Sequence, residues 1–148
     1  RAESMVDETP HGDPHGDPRG NRSEDRDPDA GRRQGDIYSA RCPCRVLLDV
    51  VSSKWSVMVV EALAEGDCRF AQLHRKLEGI SPKVLTTTLR RLQSAGMVDR
   101  TVYAEVPARV VYSLTETGES AVAPVHALRQ WAQSHYDVAL AYARSRDD

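Results

Sequence analysis

One phenylalanine, two tryptophans and three cysteines in 148 residues leave several protein classes little to work with. No apolar run approaches the roughly 18 residues of a membrane helix. No charged-then-apolar leader opens the chain, which starts Arg1-Ala2-Glu3 and reaches its first methionine at Met5. An odd number of cysteines does not make a disulfide framework. The expectation is a soluble chain in a reducing cytoplasm, and the sequence leaves open whether Met5 is the native start. Paired carboxylates in a plausible cleft, a nucleophile motif and a glycine-rich phosphate loop are all missing, so the sequence predicts no enzyme and no cofactor. Structural zinc wants four well-placed ligands. His126 and His135 lie far along the chain from Cys42 and Cys44, and no metal site is expected.

A surplus of positive charge is also missing: the formal net charge is -2. The average conceals a division. Residues 1–40 carry six arginines against ten carboxylates, whereas residues 69–109 carry eight basic side chains against three acidic ones. The acidic part contains a tandem repeat, His11-Gly12-Asp13-Pro14 followed by His15-Gly16-Asp17-Pro18. A segment of this composition cannot bury enough apolar surface to offset its ordering entropy. Residues 1–36 are therefore expected to be a disordered acidic tail, with the repeat at most a weak metal binder. Residues 37–148 are expected to be the folded domain.

Within that domain the apolar residues fall into helical and then strand-like periods. Pro43 suits the first turn of a helix carrying Val46, Leu47, Val50 and Val51. Ser52-Ser53 breaks it, and a second helix over 54–64 turns Trp55, Val59, Ala62 and Leu63 inward until Gly66. Cys68-Arg69-Phe70 reads as a short extended piece. Residues 70–77 form a short helix, Gly79 gives a turn, and Ser81-Pro82 opens the next helix as N-cap and first residue. Leu85, Leu89 and Leu92 make its apolar stripe, and Gly96 closes it. The period then becomes two, over Val98 to Tyr103 and Val110 to Leu114, around a tip at 104–108. A helix-turn-helix followed by a hairpin is a winged helix. The fold class is thus mainly α with a small β-hairpin (α+β).

A last helix begins near Thr115. Val122, Val125, Leu128, Trp131, Ala132, His135, Val138, Ala139 and Tyr142 recur at threes and fours, with Pro124 a point where the helix would kink or restart. So long a stripe needs a partner. The first and last helices predict a dimer interface of Leu47, Val50, Leu128, Trp131 and His135. An apolar pocket between the last helix and the winged core is a place for a small ligand.

With its leucines turned inward, the helix from Ser81 to Gly96 shows Lys83, Thr86, Thr87 and Arg90 outward. Arg suits bidentate bonding to guanine, Thr reaches base edges and thymine methyls, and Lys neutralises phosphate. The N-terminus at Ser81 adds backbone N–H groups. Arg91 lies off this face, toward phosphate or a nearby carboxylate. Arg109 at the wing suits the minor groove or phosphate, its alternative being an ion pair with Glu105. These residues predict a helix that enters the major groove of duplex DNA.

Cys42-Pro43, Lys54-Trp55, Arg69-Phe70, Gly79-Ile80-Ser81-Pro82-Lys83-Val84-Leu85-Thr86, Glu105-Val106-Pro107 and Val110-Val111-Tyr112-Ser113-Leu114-Thr115 together resemble the HxlR-type transcription regulators. The resemblance covers roughly residues 41–135. It implies a homodimeric, MarR-like winged helix-turn-helix protein on a partly palindromic operator with one recognition helix per half-site; of repressor and activator, repressor is the preferred expectation. Ser52-Ser53 stands where the family often has two glycines, and Ala104 and Ala108 where it often has prolines. The resemblance also implies an oxidant or electrophile effector acting at Cys42. Cys42 and Cys44 sit at a helix start flanked by Arg41 and Arg45, a setting that favours the thiolate. Two residues joined through proline predict a strained Cys42–Cys44 bond, so an intersubunit bridge or a bond to Cys68 is the expected oxidised form. The other readings are a winged-helix protein-interaction module and a regulator that answers a small ligand without redox sensing.

Overall fold

The computed structural model describes residues 34–147. The histidine-containing repeat and all but the end of the acidic tail lie outside the described residues. The chain order is α1 (Cys44–Val51), α2 (Lys54–Ala64), α3 (Phe70–Lys76), α4 (Pro82–Ser94), β1 (Val98–Tyr103), β2 (Arg109–Leu114), α5 (Glu116–Ser134) and α6 (Tyr136–Ser145). This is a mainly helical winged helix-turn-helix with one antiparallel hairpin. No described helix is long and apolar enough to cross a membrane.

Local chemistry explains where the elements start and stop. Ser53 caps α2, its hydroxyl accepting from the Ser56 N–H at 3.2 Å. Gly79, in the turn between α3 and α4, has a φ of 88°, and Gly96, just past α4, has 71°. Both are left-handed conformations that glycine adopts without steric cost. The hairpin pairs Val98 with Leu114 and Tyr103 with Arg109, leaving 104–108 as the tip. Cys68 adds to it by exchanging two backbone hydrogen bonds with Tyr112, at 3.0 and 2.8 Å. Of the extended piece expected at 68–70, Cys68 pairs with β2 on the side away from β1, while Phe70 already begins α3.

The core gathers around α2. Val59, Val60 and Leu63 meet Leu73 and Leu77 on and beside α3, Leu85, Leu89 and Leu92 on α4, Met97 and Val98 at the hairpin entry, and Val125 on α5. Each such side chain contributes about 1.5–3 kcal/mol through removal from water. Val50 belongs to this core at 8% exposure. That corrects its assignment to the dimer interface, because α1 turns Val50 inward against its own chain while Val46, Leu47 and Leu48 face out.

The last helix also differs from expectation. It runs unbroken through Pro124 and stops at His135, whose φ and ψ are -105° and 37°. Pro124 and Ser120, the residue whose carbonyl it leaves without an N–H, are both exposed, so water can take the missing bond. At the real break the side chains compete with the helix ladder. The Ser134 hydroxyl donates to the Trp131 carbonyl at 2.8 Å, and the His135 ring nitrogen Nδ1 meets the same oxygen at 2.8 Å.

A clamp fastens α5 to the end of α4. The Thr115 hydroxyl donates to the Gly96 carbonyl at 2.6 Å and accepts from the Gly118 N–H at 3.1 Å. The Thr115 N–H donates to the Met97 carbonyl at 3.0 Å. Gly118 lies so close to that carbonyl that any β-carbon there would collide with it.

Candidate nucleic-acid interface

Ser81 and Pro82 set the start of α4 as the sequence indicated. The Ser81 hydroxyl accepts from the Val84 N–H at 3.1 Å, and Pro82 occupies the first turn, where its missing N–H costs nothing. The register that buries Leu85, Leu89 and Leu92 puts Lys83, Thr87 and Arg90 in solvent, with Thr86 half-buried beside them. The Thr86 hydroxyl donates to the Pro82 carbonyl at 2.8 Å, and that of Thr87 to the Lys83 carbonyl at 3.0 Å. Each hydroxyl hydrogen is thereby used inside the helix. What each threonine offers outward is acceptor lone pairs and a methyl group, which fit an exocyclic amino group and a thymine methyl.

The basic side chains divide into two sets. Lys83 and Arg90 have no carboxylate partner among the described residues. Arg91 is held by Asp49 of α1 at 3.0 Å. Arg109 donates from Nε to Glu105 at 3.2 Å, and its guanidinium carbon lies 3.9 Å from the centroid of the Tyr103 ring. Both alternatives raised for these arginines, a nearby carboxylate for Arg91 and Glu105 for Arg109, are therefore present in the DNA-free molecule.

Arg90 stands on a ridge between two depressions. On one side α1 and α4 enclose about 400 Å³ lined by Val46, Val50, Thr87, Arg91 and Ser94. On the other, α4 and the hairpin enclose about 450 Å³ lined by Thr86, Gln93, Arg100 and Tyr112. Arg100 and Gln93 were not singled out from the sequence. A strand arginine beside a helix glutamine became visible only once the hairpin folded back over α4.

The cysteines correct one expectation. Cys42 and Cys44 are joined to each other by a disulfide within one chain, although a bridge to a second subunit or to Cys68 had been expected. The Cα atoms are 5.3 Å apart, within the ordinary disulfide range, so proline between them does not hold the two residues out of reach. Cys68 is free and half-buried. Burial pushes its thiol pKa up, opposed by Lys76.

Away from α4, Leu47, Leu128, Trp131 and His135 are all exposed, and Trp131 and His135 pack ring against ring at 5.0 Å between centroids. A depression of about 280 Å³ lies between α2 and α5, lined by Lys54, Val57, Met58, Leu128 and Ala132. Sequence reasoning missed the polar tie beside it. Arg129 on α5 donates from Nε to the Glu61 carboxylate of α2 at 2.8 Å, and His126 Nδ1 stands 3.2 Å from the same carboxylate. A lone glutamate between Val60 and Ala62, on a helix otherwise turned to the core, was the one available signal.

Comparison with known proteins agrees with this arrangement. The HxlR-like helix-turn-helix family matches residues 50–139, well over half of the chain. The HTH-type transcriptional regulator YtfH of Escherichia coli is 38% identical over 114 residues, which are 77% of this chain and 90% of YtfH. The solved structure of a putative transcriptional regulator ytfH from Salmonella typhimurium has a TM-score of 0.67 at 37% identity, covering 75% of this chain and 99% of that one. The redox regulator HypR in its oxidised form has a TM-score of 0.59 at 36% identity, covering 64% of this chain and 97% of that one.

Proposed function

The chain belongs to the HxlR-like helix-turn-helix family of DNA-binding transcription regulators, and from that premise we propose that it is a homodimeric cytoplasmic repressor reading a partly palindromic operator. Residues 37–148 are its DNA-binding and dimerisation domain. Each protomer lays α4 in the major groove, with Arg90, Thr86 and Thr87 on base edges and Lys83, Ser81 and Arg91 toward phosphate. Arg109 engages the adjacent backbone or minor groove.

The single observation that carries this reading is the outward face of α4. Lys83 and Arg90 are exposed without carboxylate partners among the described residues, on a helix whose opposite face is sealed in the core. The test is a gel shift on a duplex covering the region upstream of the chain's own gene. Arg90→Ala is expected to weaken binding by about 1–3 kcal/mol, the worth of a bidentate base contact, with the urea unfolding midpoint unchanged. Equal binding by the two proteins would sink the assignment of Arg90.

Redox control through Cys42 and Cys44 forms part of the same proposal. The intrachain disulfide supports it, as does the likeness to a solved redox regulator. In that reaction the two thiols give up two electrons and two protons to an oxidant, such as diamide, which becomes a hydrazine. Operator affinity is expected to fall with diamide and recover with dithiothreitol, and Cys42→Ser is expected to abolish the response. An affinity indifferent to both reagents removes redox control and leaves DNA binding standing.

A further inference from the structure

The wing holds the arginine beside its tip in an unusual way. Arg109 opens β2 directly across from Tyr103, which ends β1. Directly opposed residues share one face of a hairpin. The guanidinium carbon sits 3.9 Å from the centre of the Tyr103 ring, within the range of a cation–π contact. The backbone N–H of Glu105 donates to the Tyr103 carbonyl at 2.9 Å. That tight bend accompanies a carboxylate set against the edge of the same guanidinium, Arg109 Nε and Nη2 both lying 3.2 Å from one Glu105 oxygen.

The two contacts differ in what they consume. The ring attracts the guanidinium charge through its π face and offers no lone-pair acceptor of the carboxylate kind, so the contact is compatible with N–H groups that turn to another acceptor. The carboxylate occupies N–H groups that a phosphate would need. It is a weak hold: both partners are partly exposed, and exposed ion pairs are worth at most about fivefold in an equilibrium constant. Duplex DNA presents one negative charge per roughly 1.7 Å of its axis, enough to displace a single carboxylate.

We propose that Tyr103 is the positioning residue that presents Arg109 to DNA, and that Glu105 competes with DNA phosphate for the same guanidinium. Wing engagement is then an exchange of carboxylate for phosphate rather than a gain of one contact. Glu105 lowers the affinity of the wing for duplex DNA of any sequence, so that binding leans on the bases read by α4. The inference rests on the proposed reading of duplex DNA by α4 and the wing.

The test uses the full-length chain, a duplex covering the region upstream of its own gene, and a random-sequence duplex of equal length, each titrated at several salt concentrations. Glu105→Gln keeps an acceptor for Arg109 and removes the charge. It is expected to tighten binding to both duplexes by about two- to fivefold per wing. The salt dependence should also steepen by up to about 0.9 per wing, because no carboxylate is left to recruit a cation on release. Tyr103→Phe is expected to bind like the parent, and Tyr103→Leu about two- to fivefold more weakly at the same thermal midpoint. In an Arg109→Ala background the gain from Glu105→Gln should shrink by at least half. Parent protein that shifts the upstream duplex, together with Glu105→Gln that leaves affinity and salt slope unchanged, overturns this inference alone. A gain undiminished in the Arg109→Ala background, which would mean simple repulsion by Glu105, overturns it too. Parent protein that shifts neither duplex overturns both the inference and the reading beneath it.

Discussion

Leu85, Leu89 and Leu92 recur at threes and fours along α4, and so do Leu128, Trp131, Val138 and Tyr142 along α5 and α6. The first set is sealed: Leu85 and Leu92 have no accessible surface and Leu89 only 2%. The second set stays open, with Trp131 at 61% and Tyr142 at 67%, and α6 contributes no buried residue. The same periodicity therefore describes two physical situations. On α4 the partner surface is supplied by α2, α3 and the hairpin of the same chain. On α5 and α6 no described part of the same chain covers the strip, and exposed apolar surface of this kind is what interaction sites are made of.

Substitutions probe each half of this contrast. Leu89→Ala carries the largest expected effect, a loss of about 2–5 kcal/mol in urea unfolding from lost burial plus the cavity left behind. A loss below about 1 kcal/mol would mean that the inner face of α4 is not the core it resembles. Trp131→Glu is next. It should leave the far-ultraviolet spectrum intact and weaken self-association by about 2 kcal/mol or more, the scale of an aromatic interface anchor, read by sedimentation across a concentration series. Unaltered self-association would move the interface elsewhere and leave the exposed strip unexplained. Ser81→Ala is the smallest, costing about 1 kcal/mol of stability through the lost helix cap. Its value is diagnostic: an effect on DNA affinity far beyond that cost would show that Ser81 touches phosphate as well as capping the helix.

The contrast also explains what could be read in advance. Local chemistry was legible: Ser81-Pro82, Gly79 and Gly96 bound α4, and the hairpin ends fell where the two-residue period began and stopped. The leucine stripe gave the inner face of α4, and by subtraction the outer one. Features made by distant residues were not legible. Glu61 meets Arg129 across 68 positions, and Cys68 meets Tyr112 across a gap that no spacing rule spans. Val50 was assigned outward because its neighbours Val46 and Leu47 do face out, and a helix as short as α1 fits either rotation until α2 and α4 pack on it. The break at His135 was hidden by the more conspicuous Pro124, because side-chain competition for the Trp131 carbonyl depends on rotamers and not on residue type alone. Arg109 was recognised as a wing residue, but its lodging between Tyr103 and Glu105 follows from a cross-strand register fixed by folding.

The clamp of Thr115 and Gly118 on the turn behind α4 gives α5 a mechanical meaning. Nineteen residues of helix make a rigid arm of about 28 Å at 1.5 Å per residue. Its foot is riveted to the turn that follows α4. A pivot of about 10° at the far end of such an arm moves the near end by roughly 5 Å, a sizeable fraction of the ~34 Å that separates successive major-groove faces. If two chains meet along their α5–α6 strips, a small change in how the arms cross is geared up into a mismatch of stride on the DNA. The close approach of the Gly118 backbone to the Met97 carbonyl, with the hydrogen bonds of Thr115, limits the play in that gearing.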